Sequence, residues 1–357
     1  LQLWFELFII ASKQSGHPTR DGPEEDIMSS SPALAAGAAS HRAQDLRAVR
    51  LRTRIAVTLF AALAAGLAVI PMATSNISFA FYLMLWITMA SAMNICVGFT
   101  GYLPFGYVVF YGVGSYATGI CYKILGWPIL PSLLAAGGVG VAIALLLAPT
   151  LRLRGVYFGI VSLALATIVK LIISNLPQSF TGGSMGIILS SANNPTHSYY
   201  AMLIVMGATL ATVTWLSVSR LGRALKAIRD DDGAAACVGI HVPNTRLKAW
   251  LLAALFPALA GGIEAWYTNV VDPEYAFHVL ITAKSIIYAM AGGFGTILGP
   301  VVGTLALLGI DHMIWQKFPV VNLLLLGLII VLLMLFLPRG IVGSLIKRKP
   351  QLRRYIA

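Results

Sequence analysis

Apolar residues in this chain fall into blocks of about twenty, the length that a helix needs to cross a bilayer core of roughly 30 Å. Candidate spans lie at Ile55–Ala73, Ile77–Gly98, Leu103–Tyr122, Ile129–Pro149, Val156–Ile173, Tyr199–Ser219, Ala249–Thr268 and Val320–Leu337. A longer apolar stretch, Ile281–Ile310, is interrupted by Gly292-Gly293-Phe294-Gly295 and divides into Ile281–Ala291 and Ile297–Ile310. The expectation is an all-α polytopic membrane protein of about ten transmembrane or partly re-entrant helices, some of them broken by glycine. Leu103–Tyr122 and the divided pair are the segments open to re-entry. Composition agrees: 58% of the 357 residues are hydrophobic and 11% charged, where a soluble domain carries about 25% charged residues. That balance excludes a disordered chain, a typical cytosolic enzyme and, with three cysteines, a disulfide-stapled module.

The net charge of +12 would suggest nucleic acid in a soluble protein, but its distribution points elsewhere. With the N-terminus inside, the cytoplasmic segments hold 19 of the 25 Lys and Arg residues. Five lie in residues 41–54, two are Arg152 and Arg154, six fall in Arg220–Lys248 and six in the tail from Pro338. The opposite loops hold Lys123 and Lys317, and Ser174–Ser198 has neither Lys nor Arg. This is the positive-inside signature. It places both termini in the cytoplasm and assigns no nucleic-acid partner. Residues 1–54, with an apolar Leu1–Ile10 and a polar, acidic Ser12–Asp26, read as a disordered cytoplasmic leader or as residues added ahead of the native start. Residues 55–338 form the membrane domain, and 339–357 a basic cytoplasmic tail.

No phosphate-binding loop, zinc-protease motif, nucleophile elbow or C-x-x-C pair occurs. The sequence thus assigns no catalytic residue and no metal ligand. The six histidines are scattered and receive no role. A chain of this kind that moves solute uphill draws energy from an ion gradient or from a separate ATPase. The most specific feature is the loop Arg220–Lys248. A helix-forming piece, Arg223–Arg229, ends at Asp230-Asp231-Asp232, whose side chains suit the cap and first turn of a second short helix, Gly233–Val238, stopped by Gly239. Helix, cap, helix and glycine make a rigid knob, and Ala234-Ala235-Ala236 gives it a small face for close docking.

Ala234-Ala235, three residues and then Gly239 resemble the "EAA" coupling loop of ABC importer permeases. The wider match resembles the LivM-like branch of the branched-chain amino-acid permease family. It is carried by Asn94–Gly119, Arg154-Gly-Val-Tyr-Phe-Gly-Ile-Val, Thr181-Gly-Gly-Ser-Met-Gly and Gly222-Arg-Ala-Leu-Lys-Ala-Ile-Arg. Ala258-Leu-Ala-Gly-Gly, Gly292-Gly-Phe-Gly-Thr-Ile-Leu-Gly-Pro and Leu337-Pro-Arg-Gly complete it, all in family order over about residues 55–345. Two positions depart from the pattern: Gly233 replaces the Glu of the motif name, with Asp232 supplying acid, and Tyr107 stands where a His or Gln is usual. The latter bears on substrate preference.

The resemblance implies a permease subunit of a binding-protein-dependent ABC importer in a bacterial plasma (inner) membrane. The implied solute is a branched-chain or other hydrophobic amino acid, with urea or a short amide as the alternative. A self-sufficient secondary transporter or channel is the reading from a different class. The implied partners are a second homologous permease, two cytoplasmic ATPases and an external solute-binding protein, with lipid around the spans. The chain itself binds no cofactor, and ATP-Mg belongs to the ATPases. Arg223, Arg229, Asp230, Asp231, Asp232, Ala234, Ala235 and Gly239 are the expected coupling residues, within loop 220–243. The expected pathway residues are Asn94, Gly98, Gly101, Tyr102, Gly106, Tyr107, Thr181, Gly182, Gly183, Gly292 and Gly293.

Some of these have a physical reading of their own. Broken helix is tolerated in hydrocarbon only where it is buried in protein or lines a cavity, so Gly98–Gly106 and Gly292-Gly293 read equally as pathway or packing. Gly295, Gly299 and Gly303 form small-xxx-small steps and read as packing. Among intramembrane charges, Lys170 and Lys284 lie near span ends, where snorkelling suffices. Glu264 is expected to pair with one of them. The uncharged Ser174–Ser198 loop, with Asn175, Asn193 and Asn194, suits a neutral or zwitterionic solute.

Overall fold

Burial sorts the helices into a centre and a rim. The computed structural model describes residues 55–72, 77–189, 195–317 and 340–348, with isolated positions between 324 and 335. The leader, and the expected span Val320–Leu337 apart from those isolated positions, lie outside the described residues. In chain order the long helices are α1 (Ile55–Met72), α2 (Ser78–Asn94), α3 (Val108–Lys123), α4 (Ile129–Leu146) and α5 (Val156–Asn175). A short α6 (Gln178–Thr181) precedes α7 (Pro195–Val218), α8 (Arg220–Asp230), α9 (Asp232–Cys237) and α10 (Val242–Thr268). The short α11 (Pro273–Ala276), then α12 (Val279–Gly292), α13 (Gly299–Lys317) and α14 (Gly340–Arg348) complete the set. Among the described residues, seven apolar helices are long enough to cross a membrane, counting Pro273–Gly292 as one. The chain is a polytopic all-α membrane protein.

In the 18-residue apolar windows of Ser78–Thr100 and Val242–Thr268, 83% and 78% of the residues are buried, against 17% for that of α1 and 22% for that of α5. The centre is therefore α2, α3, in which every residue from Val108 to Gly119 is buried, and α10, and the rim turns exposed apolar side chains such as Leu134, Ile160 and Leu171 outward. Without a hydrophobic driving force between helices in lipid, close packing of small residues holds such a centre together. A Cβ at Gly114 of α3 would stand 2.0 Å from the Ala258 carbonyl oxygen, and one at Gly261 of α10 would stand 2.1 Å from that of Tyr111. No side chain fits at either contact.

Two prolines inside helices leave a main-chain carbonyl without its helical donor, because proline has no N–H to offer the residue four positions earlier. Each vacancy is filled by a buried tyrosine from elsewhere. Pro257 in α10 frees the Ala253 carbonyl, to which the Tyr107 hydroxyl donates at 3.1 Å. Pro71 in α1 frees that of Leu67, to which the Tyr199 hydroxyl donates at 2.6 Å. Both tyrosines are fully buried.

Several expectations are corrected. The segment expected at Leu103–Tyr122 is helical only from Val108, and at 16 residues α3 is about 24 Å long. Before it, the chain holds a non-helical approach: the Gly106 amide donates to Ser162 Oγ at 3.2 Å and the Val108 amide to Thr282 Oγ1 at 3.0 Å. Glu264 pairs with neither lysine. Lys170 bridges to Glu274 at 2.7 Å and Lys284 to Asp311 at 3.4 Å, while buried Glu264 accepts a hydrogen bond from the Tyr275 hydroxyl at 3.0 Å. The reason is facing: Glu264 turns inward, and both lysines lie beside acids nearer the surface. In the polar loop after α5, Ile187–Ile188 pairs antiparallel with Val270–Val271. That two-stranded ribbon was not expected. α10 begins seven residues before the expected Ala249, because His241 Nδ1 accepts from the Asn244 amide at 3.3 Å and caps it. The divided pair Ile281–Ala291 and Ile297–Ile310 does form two helices around a break, α12 and α13.

Replacing Tyr107 or Tyr199 by Phe leaves a buried carbonyl without a donor and should cost about 1–3 kcal/mol each. Thermal unfolding in detergent would read this as a lowered midpoint. Tyr200→Phe, whose hydroxyl reaches the Ala68 carbonyl at a longer 3.3 Å, should move it less.

Candidate functional site

The loop between α7 and α10 is helical almost throughout. Ser219 caps α8, its side chain accepting from the Gly222 amide at 3.0 Å. α8 therefore starts at Arg220 and runs to Asp230, longer at both ends than the expected Arg223–Arg229. Asp231 then adopts an extended backbone and caps α9, its Oδ1 accepting from the Gly233 and Ala234 amides at 2.7 and 2.9 Å. The three aspartates divide their work: Asp230 meets Arg229 at 3.3 Å, Asp231 caps, and Asp232 pairs outward. α9 ends at Cys237, and Gly239 follows with φ of +84°, a left-handed conformation that glycine adopts without steric cost. Gly233, Ala234, Ala236, Cys237, Val238 and Gly239 are exposed, Val238 to 76%.

The knob is seated on a nearly buried ion pair. Asp232 Oδ1 accepts from Arg246 Nη2, and Arg154 Nη2 stands 3.7 Å from Asp232 Oδ2. The Arg246 guanidinium lies 4.4 Å from the centre of the Tyr102 ring. Burial pushes the Tyr102 phenol above its ordinary value, and the Arg246 charge pulls against that.

Beyond Asn94, α2 continues through a π-helical turn, Ile95–Thr100, and stops at Gly101 with φ of +75°. The last carbonyls of a helix lack intrahelical donors and carry its negative dipole end, which favours cations there. Three cations converge on this end. Arg229 Nη1 donates to the Gly98 carbonyl at 2.7 Å, Lys226 Nζ lies 5.4 Å from the Phe99 ring centre, and Arg246 covers Tyr102. Of the expected residues, Arg229 and Asp232 of the coupling set thus meet Gly98, Gly101 and Tyr102 of the pathway set in one site.

The second helix break joins them. The fully buried Asn94 accepts from the Gly295 amide at 2.8 Å and donates from Nδ2 to the Thr296 carbonyl at 3.0 Å. A Cβ at Gly98 would stand 2.0 Å from Asn94 Oδ1 and 2.5 Å from the Gly295 nitrogen. Gly292 is packed against Gly299, and Gly293 against Gly340 at the start of α14. Thr296 closes the break by accepting from the Gly299 amide at 3.0 Å.

Other expected residues lie elsewhere. Gly106 and Tyr107 sit between α5, α10 and α12 through Ser162, Ala253 and Thr282. Thr181, Gly182 and Gly183 gather at the far end of α5, where Thr181 Oγ1 donates to the Ile173 carbonyl at 3.0 Å. Arg154, just before α5, is at the knob, so the length of α5, about 30 Å, separates the two groups. Arg223 is exposed and donates to the Val218 carbonyl at 3.0 Å.

Residues 75–336 match the family described as the permease component of branched-chain amino acid transport systems. The chain belongs to this family. Among curated relatives of this permease family member, LivM of Salmonella typhimurium is 28% identical over 78% of this chain and 72% of its own length. LivM of Escherichia coli is 28% identical over 76% and 70%. LivH of Escherichia coli, a second permease protein, is 26% identical over 71% of this chain and 90% of its own. No solved structure matches.

Sequence reading missed Arg246, Lys226, Thr282 and Thr296. Arg246 left a signal, since an arginine at the margin of an apolar span calls for a partner. Thr282 and Thr296 left none, being single hydroxyls in apolar segments.

Asp232→Ala strands a buried guanidinium and should destabilise the knob by about 3–5 kcal/mol. Arg154→Ala removes a partner that is 79% exposed and should cost less than ~1 kcal/mol. Limited proteolysis across residues 219–241 would report both, and an Asp232→Ala/Arg246→Ala double-mutant cycle would report the coupling.

Proposed function

We propose that this chain is the membrane-spanning permease subunit of a binding-protein-dependent ABC importer for branched-chain or other hydrophobic amino acids. Membership of the permease family carries the reading. The α8–α9 knob supports it further, because its small, exposed face rests on an ion-paired base. A face of glycine and alanine admits close backbone approach, and a base held by Asp232 and Arg246 transmits force instead of bending. On this reading Gly233–Gly239 seats in a cytoplasmic ATPase, and ATP-Mg is bound and hydrolysed there.

The chain's similarity to both LivM and LivH supports a second, homologous permease beside it, with the solute path between the two. An external binding protein would deliver solute at the end that carries Thr181–Gly183 and the Ile187–Val271 ribbon. The protein is multi-pass in the bacterial plasma membrane. The clustering of Arg154, Arg229 and Arg246 at one end supports a cytoplasmic knob, and with it cytoplasmic termini. Asn94, the two helix breaks, Gly106 and Tyr107 would line or shape the path.

Co-expression with the ATPases, partner permease and binding protein, followed by leucine uptake in proteoliposomes, tests this. ATP-dependent, binding-protein-dependent uptake is expected. Gradient-driven uptake by this chain alone would mark a secondary transporter, and preference for urea or a short amide would reassign the solute. Val238→Asp and Ala234→Glu put charge into a docking face and should cut ATPase co-purification at least about tenfold, as a buried unpaired charge does in interfaces. Undiminished co-purification would remove the docking assignment.

A further inference from the structure

The knob touches both helix breaks through one side chain. In a regular helix the Gly98 carbonyl would accept from the Tyr102 amide, but that amide donates to Thr100 Oγ1 at 3.3 Å. The carbonyl is left for Arg229, whose Nη1 donates to it at 2.7 Å. The same Nη1 would lie 3.0 Å from a Cβ at Gly295, and Arg229 Cγ would lie 3.1 Å from one at Gly101. On the other side of Gly98, Asn94 holds the Gly295 amide and the Thr296 carbonyl. Three glycines thus surround the joint, so no further side chain from these positions separates Arg229 from the two breaks.

We propose that Arg229 is a positioning residue that passes movement of the docking knob to both helix breaks, with Asn94 as the crosspiece that makes the two breaks move together. The proposal rests on the reading that the α9 face docks an ATPase. A hydrogen bond to a main-chain carbonyl tolerates only a few tenths of an ångström before it weakens. A shift of α8 therefore either carries the end of α2 with it or breaks the bond. Gly98 packs against the second break and Asn94 bonds to it, so α13 follows through Gly295 and Thr296. Arg229 itself lies on α8, before the small face of α9, and its guanidinium is turned toward the membrane domain.

The test uses the complete importer in proteoliposomes with its binding protein and leucine. Arg229→Ala should retain the ATPases at wild-type stoichiometry and basal ATP hydrolysis within about twofold, while leucine transported per ATP falls at least about tenfold, within the range of ordinary coupling energies. Arg229→Lys, which keeps a donor, should restore a substantial part of that ratio. Asn94→Ala supplies the second arm. Asn94 lies in α2, and its side chain donates to Thr296 and accepts from Gly295 of the second break, so its loss should uncouple transport with ATPase binding intact. A wild-type ratio in either alanine variant would overturn the link. Loss of the ATPases from Arg229→Ala would make Arg229 a docking residue and also overturn it. Failure of the docking reading is separate: Val238→Asp would then keep its ATPases whatever Arg229→Ala does.

Discussion

Every main-chain carbonyl in an apolar surrounding needs a donor, and one left without it costs several kcal/mol. Regular helix meets this need locally. The informative places in this protein are those where helix cannot. The carbonyls of Leu67 and Ala253 lose their donors to proline, those of Ala144 and Gly98 lie at or near helix ends, and each is met from another part of the fold by Tyr199, Tyr107, Trp250 or Arg229. The donors are long side chains with the polar group at the tip, so they span an interhelical gap while burying their stems. The set of vacancies and donors thereby specifies which helices are neighbours. Greasy packing alone would leave that choice open, because lipid is as apolar as the helices.

The architecture was largely legible because it depends on local patterns. Block length gave the spans, Gly292-Gly293-Phe294-Gly295 gave the second break, and the run of aspartates with Gly239 gave the knob. The charge count anticipated that Arg154, Arg229 and Arg246 would share one end. What escaped was pairing at long range. Asn94 and Gly295 are 201 residues apart, and Arg229 and Gly98 are 131 apart. No helical period connects such positions. Each in-span proline does announce that a donor is required, yet nothing in the chain says which of its 13 tyrosines will supply it. The ion pairs failed for the same reason. Glu264 had two lysines within plausible reach, and only the inward turn of its helix face decides against both.

The two ends of the bundle are built on different principles. At the basic end, guanidinium groups hold carbonyl, carboxylate and ring, and the breaks are locked by an amide side chain. At the far end, the Ile187–Val271 ribbon and the Thr181 hydroxyl hold main chain to main chain with no formal charge. Lys170 and Glu274 stand beside it, the latter 74% exposed, where water screens their attraction.

The π-helical turn Ile95–Thr100 has a consequence for rotation. A turn of this type contains one residue more than an α-turn, and each residue advances a helix by about 100°. Residues after the turn are therefore out of phase with those before it. Past Asn94, which meets the break between α12 and α13, the Gly98 carbonyl meets Arg229 of α8 and the Tyr102 ring meets Arg246 of α10. Ironing the turn into plain α-helix would swing the end of α2 by roughly a quarter turn. Such a swing needs no change of helix tilt, so α2 carries within itself a rotary degree of freedom at the joint that the cations hold still.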